Sequence, residues 1–224
     1  MKKILVVAAH PDDEVLGCGG TIARHVDEGD EVHVIFMADG VTSRNTLAEE
    51  DLRVRNKAAY ESCEILGAQS PQFLGFPDNK MDTVALLDVV QELEKVMDKI
   101  QPSIIYTHHD ADLNVDHRIA HQAVLTACRP QPENCVNEIY SFEVLSSTEW
   151  VSPSAKNTFI PNRFVDISKV IERKIKALNA YADEMRDYPH CRSLETVELL
   201  AKYRGSTMGM KAAESFKIER ILVK

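Results

Sequence analysis

The sequence contains no long hydrophobic run. The first apolar stretch of its 224 residues, Ile4 to Ala9, ends after six residues at a histidine that a proline and three carboxylates follow. This stretch is too short for the hydrophobic region of a signal peptide, although two lysines precede it. A membrane-spanning helix needs about 18 consecutive apolar residues, and no such run occurs. We therefore expect a protein without a membrane span.

Positive charge is also scarce. Lysine and arginine number 26 against 35 aspartates and glutamates, which gives a formal net charge of −9, and no long block of basic residues occurs. Because nucleic acids and anionic membrane surfaces attract basic patches, neither is an expected partner. A local group of arginines would still be enough to bind a small phosphate.

The cysteines are few, and their spacing shows no pairing. Their number is odd, and none forms a CxxC pair; they are Cys18, Cys63, Cys128, Cys135 and Cys191. This pattern argues against a disulfide framework and against a zinc site made of thiolates. A reducing compartment suits such a protein, so we expect it in the cytoplasm.

Apolar segments alternate with helical patterns along the chain. Predicted strands lie at 4–9, 31–38, 72–76, 103–108, 138–145 and 217–223, and predicted helices near 13–28, 47–66, 82–100, 115–128 and 168–187, with helical turns after Ser193. Continuous apolar strands separated by helices indicate a doubly wound α/β fold with a mostly parallel sheet. We expect a single domain over 1–224 with a C-terminal α/β extension, and functional sites at the carboxyl ends of the strands.

The first strand ends in the motif HPDDE, residues 10–14. So much negative charge is unfavourable unless a cation or a helix N-terminus lies beside it. Helix capping is an alternative explanation for each carboxylate, but it does not explain the histidine. His10 and Asp13 are close enough along the chain to bind one divalent ion together, which leaves Asp12 free. Zinc accepts such ligands, and a catalytic zinc needs a third one, which we expect from a neighbouring strand end.

A second cluster of metal-binding side chains follows the predicted strand 103–108. The segment THHDADLNVDHRIAHQAV contains four histidines and three aspartates: His108, His109, His117, His121, Asp110, Asp112 and Asp116. A lone histidine usually has a structural role, but seven such groups at a strand-to-helix turn favour a metal site. His117 and His121 have the i, i+4 spacing that lets two histidines share one ion, or one of them belongs to helix packing.

These two motifs carry a family resemblance. HPDDE with the distant pair Asp116-His117 resembles the LmbE-like (PIG-L) family of zinc-dependent N-acetylglucosamine deacetylases. Weaker matches are an arginine-containing helix ending in ILG (Arg53 and Arg55 to Gly67), GFPD (75–78), HCRS (190–193) and RGSTMGMKAAESF (204–216). The resemblance implies a Rossmann-like fold and one zinc ion per chain bound by His10, Asp13 and His117. It also implies that Asp12 is the general base.

One position departs from the family pattern. Family members often read HPDH where this chain reads NVDH, and the first histidine of HPDH is expected to stabilise the oxyanion. Asn114 would supply only a neutral hydrogen bond, so Asn114, His108 and His109 are all candidates for that role. Asp116 is expected to orient His117 or a neighbouring donor from behind the site, or to cap the following helix.

The implied reaction is hydrolysis of the N-acetyl group of a small-molecule amino sugar. Asp12 would take a proton from water and pass it to the leaving amine. Asp78 is a candidate for binding sugar hydroxyls, or it is only a turn residue. Arg53, Arg55 and Arg192 are candidates for binding a hydroxyl or a phosphate, and the resemblance favours Arg53 and Arg192. A free, lipid-linked, thiol-linked, phosphate-linked or nucleotide-linked sugar fits equally well, and a homo-oligomer is compatible with the sequence.

A dinucleotide-binding module is the main alternative. The glycine-rich segment LGCGGT (16–21) follows the first strand, and Asp39 ends the second strand about 20 residues later, as in such modules. However, the glycines fall inside the predicted first helix, and the three carboxylates of HPDDE would repel a pyrophosphate. Another zinc amidohydrolase and a non-catalytic binding protein are the remaining alternatives.

Overall fold

Strands and helices alternate along the chain, as the sequence predicts. The computed structural model describes residues 1–43, 49–132, 135–154 and 156–223. Within these ranges the strands are β1 (Lys3–Ala8), β2 (Glu31–Ala38), β3 (Gln72–Phe76), β4 (Ile104–His108), β5 (Glu138–Phe142), β6 (Arg163–Asp166) and β7 (Ala213–Ile221). The α-helices are α1 (Asp13–Asp27), α2 (Glu49–Leu66), α3 (Leu86–Ile100), α4 (Val115–Ala127), α5 (Ile171–Asn179) and α6 (Leu194–Ser206).

The strands form one sheet in the order β3-β2-β1-β4-β5-β7-β6. The first five are parallel to one another, and β7 is antiparallel to both of its neighbours. This confirms the predicted doubly wound, mostly parallel α/β fold with a C-terminal extension. The strand order reverses between β1 and β4. The strands β2 and β3 extend the sheet on one side of β1, and β4 and β5 extend it on the other side. Open α/β sheets bind their ligands at such a point, beyond the carboxyl ends of the strands.

The central strand is buried on both faces. Residues 4–9 are all 0% exposed. Alternate side chains belong to different hydrophobic clusters, with Ile4 and Val6 on one side of the sheet and Leu5 and Val7 on the other. Because helices cover both faces, the strand is continuously apolar instead of alternating with polar residues.

Helix α1 is broken in its middle, which the sequence does not predict. Cys18 has φ −148° and ψ 22°, outside the helical region. A buried ion pair bridges the break, with Lys174 Nζ 2.6 Å from Glu214 Oε1. Lys174 Nζ also donates to the carbonyl of Leu16 at 2.9 Å, and Glu214 accepts the backbone N–H of Gly20 at 2.9 Å. The pair therefore satisfies backbone groups that the break leaves without helical partners.

The glycine-rich segment serves close packing. A Cβ atom at Gly17 would lie 2.2 Å from the ring of Phe142, and one at Gly20 would lie 2.8 Å from Ile167. Both glycines lie in the body of α1, beyond the turn where a pyrophosphate would bind. Asp39 Oδ1 accepts two backbone N–H groups of the turn that follows it, each at 2.8 Å. The features that favoured a dinucleotide site thus have packing and turn roles.

Several element boundaries differ from the predicted ones. The predicted helix 82–100 is a 3-10 turn at Met81–Thr83 followed by α3, and the helix predicted near 168–187 ends at Asn179. The predicted start of α2 at 47–48 lies outside the described residues. No helix in the described part of the chain is long and apolar enough to cross a membrane.

Candidate metal and active site

The carboxyl ends of β1 and β4 bring the two motifs together. His10 lies just beyond β1, Asp13 begins α1, and His117 lies in the first turn of α4. Asp13 Oδ2 is 3.4 Å from His10 Nδ1 and 3.2 Å from His117 Nε2. One ligand atom from each residue lies within 4.8 Å of the other two, and all three side chains are buried. The three residues expected to bind zinc therefore meet in one group that has the dimensions of a metal site.

In each of the two histidines, the ring nitrogen that faces away from Asp13 is hydrogen-bonded to a buried carboxylate. His10 Nε2 lies 2.9 Å from Asp116 Oδ2, and His117 Nδ1 lies 3.1 Å from Asp112 Oδ1. Metal-binding histidines almost always donate their second ring nitrogen in this way, which fixes the orientation of the ring. The donor set and its support therefore fit a zinc ion.

Asp116 lies behind the group and contacts the neighbouring donor His10, one of the roles expected for it. Asp116 supports His10, and it is Asp112 that supports His117. The N-cap of α4 is Asn114, whose side chain accepts the backbone N–H of Asp116 at 2.8 Å. Asp112 belongs to the second cluster of the sequence, but no motif distinguishes it from the other aspartates, so the sequence predicts no role for it.

A second group near the site also has metal-binding residue types. It consists of His10, Asp78 and Asp116. However, Asp116 already accepts two backbone N–H groups, and Asp78 Oδ2 accepts both the backbone N–H and the hydroxyl of Ser43. Since these carboxylates are already hydrogen-bonded, they are better suited to support His10 than to bind an ion themselves.

The electrostatics of the group favour a positive charge at its centre. Burial opposes the charged form of both histidines, but the surrounding carboxylates outweigh it. Hydrogen bonds with Asp116 and Asp13 hold the pKa of His10 well above its ordinary value. The charge of Asp13, together with the hydrogen bond that His117 donates to Asp112, raises the pKa of His117 to about 9. The same carboxylates would stabilise a divalent cation.

Asp12 lies beside this group without joining it. Asp12 has φ 118°, a backbone conformation that residues other than glycine rarely adopt. It is the N-cap residue of α1, yet its side chain makes no capping hydrogen bond. Asp12 Oδ2 instead lies 3.1 Å from Arg192 Nη1 and 3.3 Å from Arg55 Nη2. The capping explanation therefore does not account for this carboxylate.

Of the two arginines that the resemblance favours for substrate binding, only Arg192 lies at the pocket. Arg192 lines the pocket beside Asp12, but Arg53 does not. The side chain of Arg53 is 72% exposed, and it pairs with Glu49 at 3.4 Å. Arg55 is buried and also contacts Glu184 at 2.7 Å. Because residues two apart point to opposite sides of a helix, α2 can present only one of the two arginines to the site.

The remaining histidines of the second cluster lie outside the pocket. His108 Nε2 accepts the backbone N–H of the residue after β1, and His121 Nδ1 donates to the carbonyl of His108. His109 Nε2 donates to the carbonyl of Asn157. Of the three candidates for stabilising an oxyanion, only Asn114 lines the pocket.

The pocket is open and has a volume of about 300 Å³. Its walls include Asp12, Asp78, Asn114 and Arg192, all of which were candidates from the sequence. Trp150 also lines it, and no sequence pattern indicated this residue. It enters through a segment after β5, far from both motifs in the chain.

The chain belongs to the PIG-L family. The model of the family "PIG-L: GlcNAc-PI de-N-acetylase" matches residues 5–128, more than half of the chain. This confirms the resemblance that the two motifs carry.

The proteins similar to this chain include deacetylases and a hydratase. The chain is 31% identical over 173 residues to the uncharacterized deacetylase YaiS of Escherichia coli K12, covering 75% of this chain and 83% of that protein. It is 28% identical over 238 residues to diacetylchitobiose deacetylase of Thermococcus kodakarensis, covering 97% and 83%. The structure of GalB, the 4-carboxy-2-hydroxymuconate hydratase of Pseudomonas putida KT2440, matches with a TM-score of 0.77 and 25% identity, covering 100% and 98%.

Proposed function

We propose that this protein hydrolyses the N-acetyl group of an amino sugar, with one zinc ion held by His10, Asp13 and His117. The observation that carries the proposal is the pair of histidines, each backed by a buried carboxylate and joined by Asp13, with Asp12 beside them. Family membership and the deacetylase relatives support the acetamide substrate. Three protein ligands leave an open position, and zinc there lowers the pKa of water and polarises a carbonyl.

Asp12 is the general base in this proposal. Its carboxylate takes a proton from the attacking water and passes it to the nitrogen of the leaving amine as the amide C–N bond breaks. Both Arg55 and Arg192 contact Oδ2, so Oδ1 is the oxygen that accepts the proton. The two guanidinium groups also fix the orientation of the carboxylate.

Four polar groups of the pocket have supporting roles in this reaction. Asn114 offers its side-chain N–H to the developing oxyanion, and Arg192 binds a substrate hydroxyl or phosphate. Arg55, and not the exposed Arg53, is the second arginine available to the substrate. Asp78 holds Ser43 and His10, so we assign it to the support of the pocket wall.

A hydratase is the second candidate function. The likeness to GalB favours it, because water addition to an unsaturated carboxylate also needs a base beside an activated water. Arg55 and Arg192 would then bind a carboxylate of the substrate.

Acetate release separates the two candidates. We expect the zinc-loaded protein to release acetate from N-acetylated amino sugars and to leave unsaturated dicarboxylates unchanged. Asp12→Asn should lower turnover by about 10²- to 10⁴-fold, because no other base replaces it, while zinc content stays near one per chain. The same acetate release by the variant as by the parent would contradict the role of Asp12. Hydration of unsaturated acids without acetate release would favour the hydratase.

A further inference from the structure

We infer that the protein has a second binding site, which takes a small oxyanion of the carboxylate or phosphate class and has Arg163 as its main donor. The site is a pocket of about 190 Å³ between the second half of α1 and β6. Its walls include Thr21, Arg24, His25, Glu28 and Arg163. The inference does not rest on the proposed function, because none of these residues lines the candidate active site.

The pocket lies at the end of the sheet opposite the candidate active site. β6 runs parallel to β5, since both are antiparallel to β7, so its first residue, Arg163, lies where the parallel strands begin. His25 lies in the last turn of α1, and this helix runs back from the carboxyl end of β1 to the beginning of β2. A ligand here is therefore separated from the metal group by most of the length of α1.

Arg163 carries a positive charge without a countercharge. Among the described residues no carboxylate forms an ion pair with it, and its guanidinium group makes one hydrogen bond, from Nη1 to the hydroxyl of Tyr106 at 2.9 Å. Its Cζ lies 3.9 Å from the ring centroid of Tyr140, which fixes the plane of the group. A guanidinium has five N–H donors, so most of them remain for a ligand. Such a fork matches the geometry of carboxylate and phosphate oxygens.

A chain of hydrogen bonds holds Arg163 in place. His25 Nδ1 donates to Asp30 Oδ2 at 2.9 Å. Burial lowers the pKa of His25, so the ring is neutral at neutral pH, and its Nε2 accepts from the hydroxyl of Tyr106 at 2.9 Å. The oxygen of Tyr106 in turn accepts from Arg163. Every donor in this chain has an acceptor, so the arginine is preorganised before a ligand binds.

Thr21 is a further polar residue of this pocket. It is 2% exposed, and its hydroxyl has no hydrogen-bond partner among the described residues. A buried hydroxyl without a partner is unfavourable. Threonine in a helix has two common side-chain rotamers, so a rotation about the Cα–Cβ bond can turn the hydroxyl towards the pocket. There it would donate to a bound oxyanion.

A cation suits this pocket less well than an anion. His25, Glu28 and Asp30 offer ligand atoms within 4.8 Å of one another. However, Asp30 is bonded to His25 and to a backbone N–H, and Glu28 pairs with Arg24 at 2.8 Å. Arg24 and Arg163 would also repel a divalent ion. The arginines therefore decide the sign of the ligand.

NMR of the histidine rings gives a local readout of binding. The zinc-loaded protein is titrated with sulfate, which stands for a phosphoryl group, or with succinate, and sodium chloride keeps the ionic strength constant. We expect a saturable shift of the His25 ring nitrogens with a Kd on the order of 1 mM, because an anion on Arg163 polarises the hydrogen bonds through Tyr106. A lower Kd for sulfate would identify a phosphate site, and a lower Kd for succinate would identify a carboxylate site.

Substitutions show whether the response comes from this pocket. In Arg163→Gln the His25 shift should need about tenfold more anion, since the charged donor is lost. Thr21→Val keeps the shape of the side chain and should weaken binding about threefold. Arg173→Gln is the matched control, because Arg173 also contacts α1 but does not line the pocket, and it should bind like the parent. Arg192→Gln, which lacks an arginine of the candidate active site, should leave the His25 response unchanged.

Four results would contradict the site. The first is no His25 shift in the parent, or the same anion dependence in Arg163→Gln. If Arg163→Gln does not fold, parent-like affinity in both Arg163→Lys and Thr21→Val is the second. Loss of the response in Arg192→Gln would place the anion in the candidate active site instead. A larger His25 shift with a second equivalent of zinc, lost in Glu28→Gln, would show a cation site.

Discussion

Glu14 is the carboxylate of HPDDE that takes no direct part in the site. It is 0% exposed, and its Oε2 accepts the backbone N–H of Asp12 at 2.9 Å. Its Oε1 accepts hydrogen bonds from Tyr181 at 2.7 Å and from Ser62 at 3.0 Å. Burial raises the pKa of Glu14 to about 7, although these hydrogen bonds oppose the shift. Glu14 thus holds the backbone of Asp12 in its unusual conformation from the side opposite the pocket.

The raised pKa of Glu14 predicts a pH-dependent stability. Between its ordinary value of 4.5 and about 7, the folded protein binds more protons at Glu14 than the unfolded chain does. The stability that this group contributes is therefore complete below pH 4.5 and is lost as the pH rises to 7, by about 3 kcal/mol. Glu14→Gln stays neutral and lacks this loss.

Urea unfolding at several pH values checks the prediction for Glu14. The free energy of unfolding of the parent minus that of Glu14→Gln should fall between pH 4.5 and 7 and level off above it. The exposed Glu61→Gln, on α2, is the control and should give a nearly constant difference. If the Glu14→Gln difference is also constant with pH, Glu14 has an ordinary pKa and the prediction is wrong.

The sequence predicts individual residues of the site when a local motif carries them. His10, Asp12 and Asp13 are neighbours in one motif, so their proximity follows from the chain itself. Trp150 depends on a contact between Asp112 and a segment 36 residues later, which no local pattern contains. Long-range contacts of this kind require the fold.

The Lys174–Glu214 pair joins α5 to β7 beside the break in α1 and is a buried contact between elements. The two side chains are 4% exposed each. Lys174→Met would leave Glu214 buried without its countercharge, and we expect a loss of about 3–5 kcal/mol in the free energy of unfolding. Lys202→Met, which removes an exposed pair with Glu198 on α6, should cost less than about 1 kcal/mol.

A double variant tests whether the loss of stability in Lys174→Met comes from the unpaired charge of Glu214. Lys174→Met combined with Glu214→Gln should be less destabilised than the sum of the two single variants, because the buried charge is gone. Urea unfolding of the four proteins gives the coupling free energy. Strict additivity would mean that each residue acts separately and that the pair does not bridge the break.

Elements are predictable from the sequence where they are long and uniformly apolar. β1, β2 and β4 have this character because helices cover both faces of the sheet. β6 was missed because it has four residues, RFVD, and lies at the sheet edge, where only one of them is buried. The kink at Cys18 was also missed, since it depends on the side chains of α5 and β7.

At the scale of the whole molecule, the sheet topology explains why so many carboxylates meet. The chain returns from β3 at the sheet edge to β4 beside β1, so the ends of two buried strands lie side by side. These two ends and the turn after β3 carry acidic residues into the same crevice. Asp12, Asp13, Asp78, Asp112 and Asp116 are all at most 1% exposed there. Mutual repulsion between them opposes folding unless cations compensate for it. A bound divalent ion should therefore stabilise the entire fold and not only the site.

Thermal unfolding with and without metal tests this link between site and fold. A ligand that binds only the folded state stabilises it by about 2.7 kcal/mol at a free concentration of 100 times Kd. We expect zinc to raise the Tm of the parent and a chelator to lower it reversibly. In His117→Ala, which lacks one of the three proposed ligands, the Tm should no longer respond to zinc. His121→Ala is the matched control, because His121 is buried on the same helix but bonds to the carbonyl of His108. A zinc response that persists in His117→Ala and disappears in His121→Ala would show that the ion binds elsewhere in the second cluster.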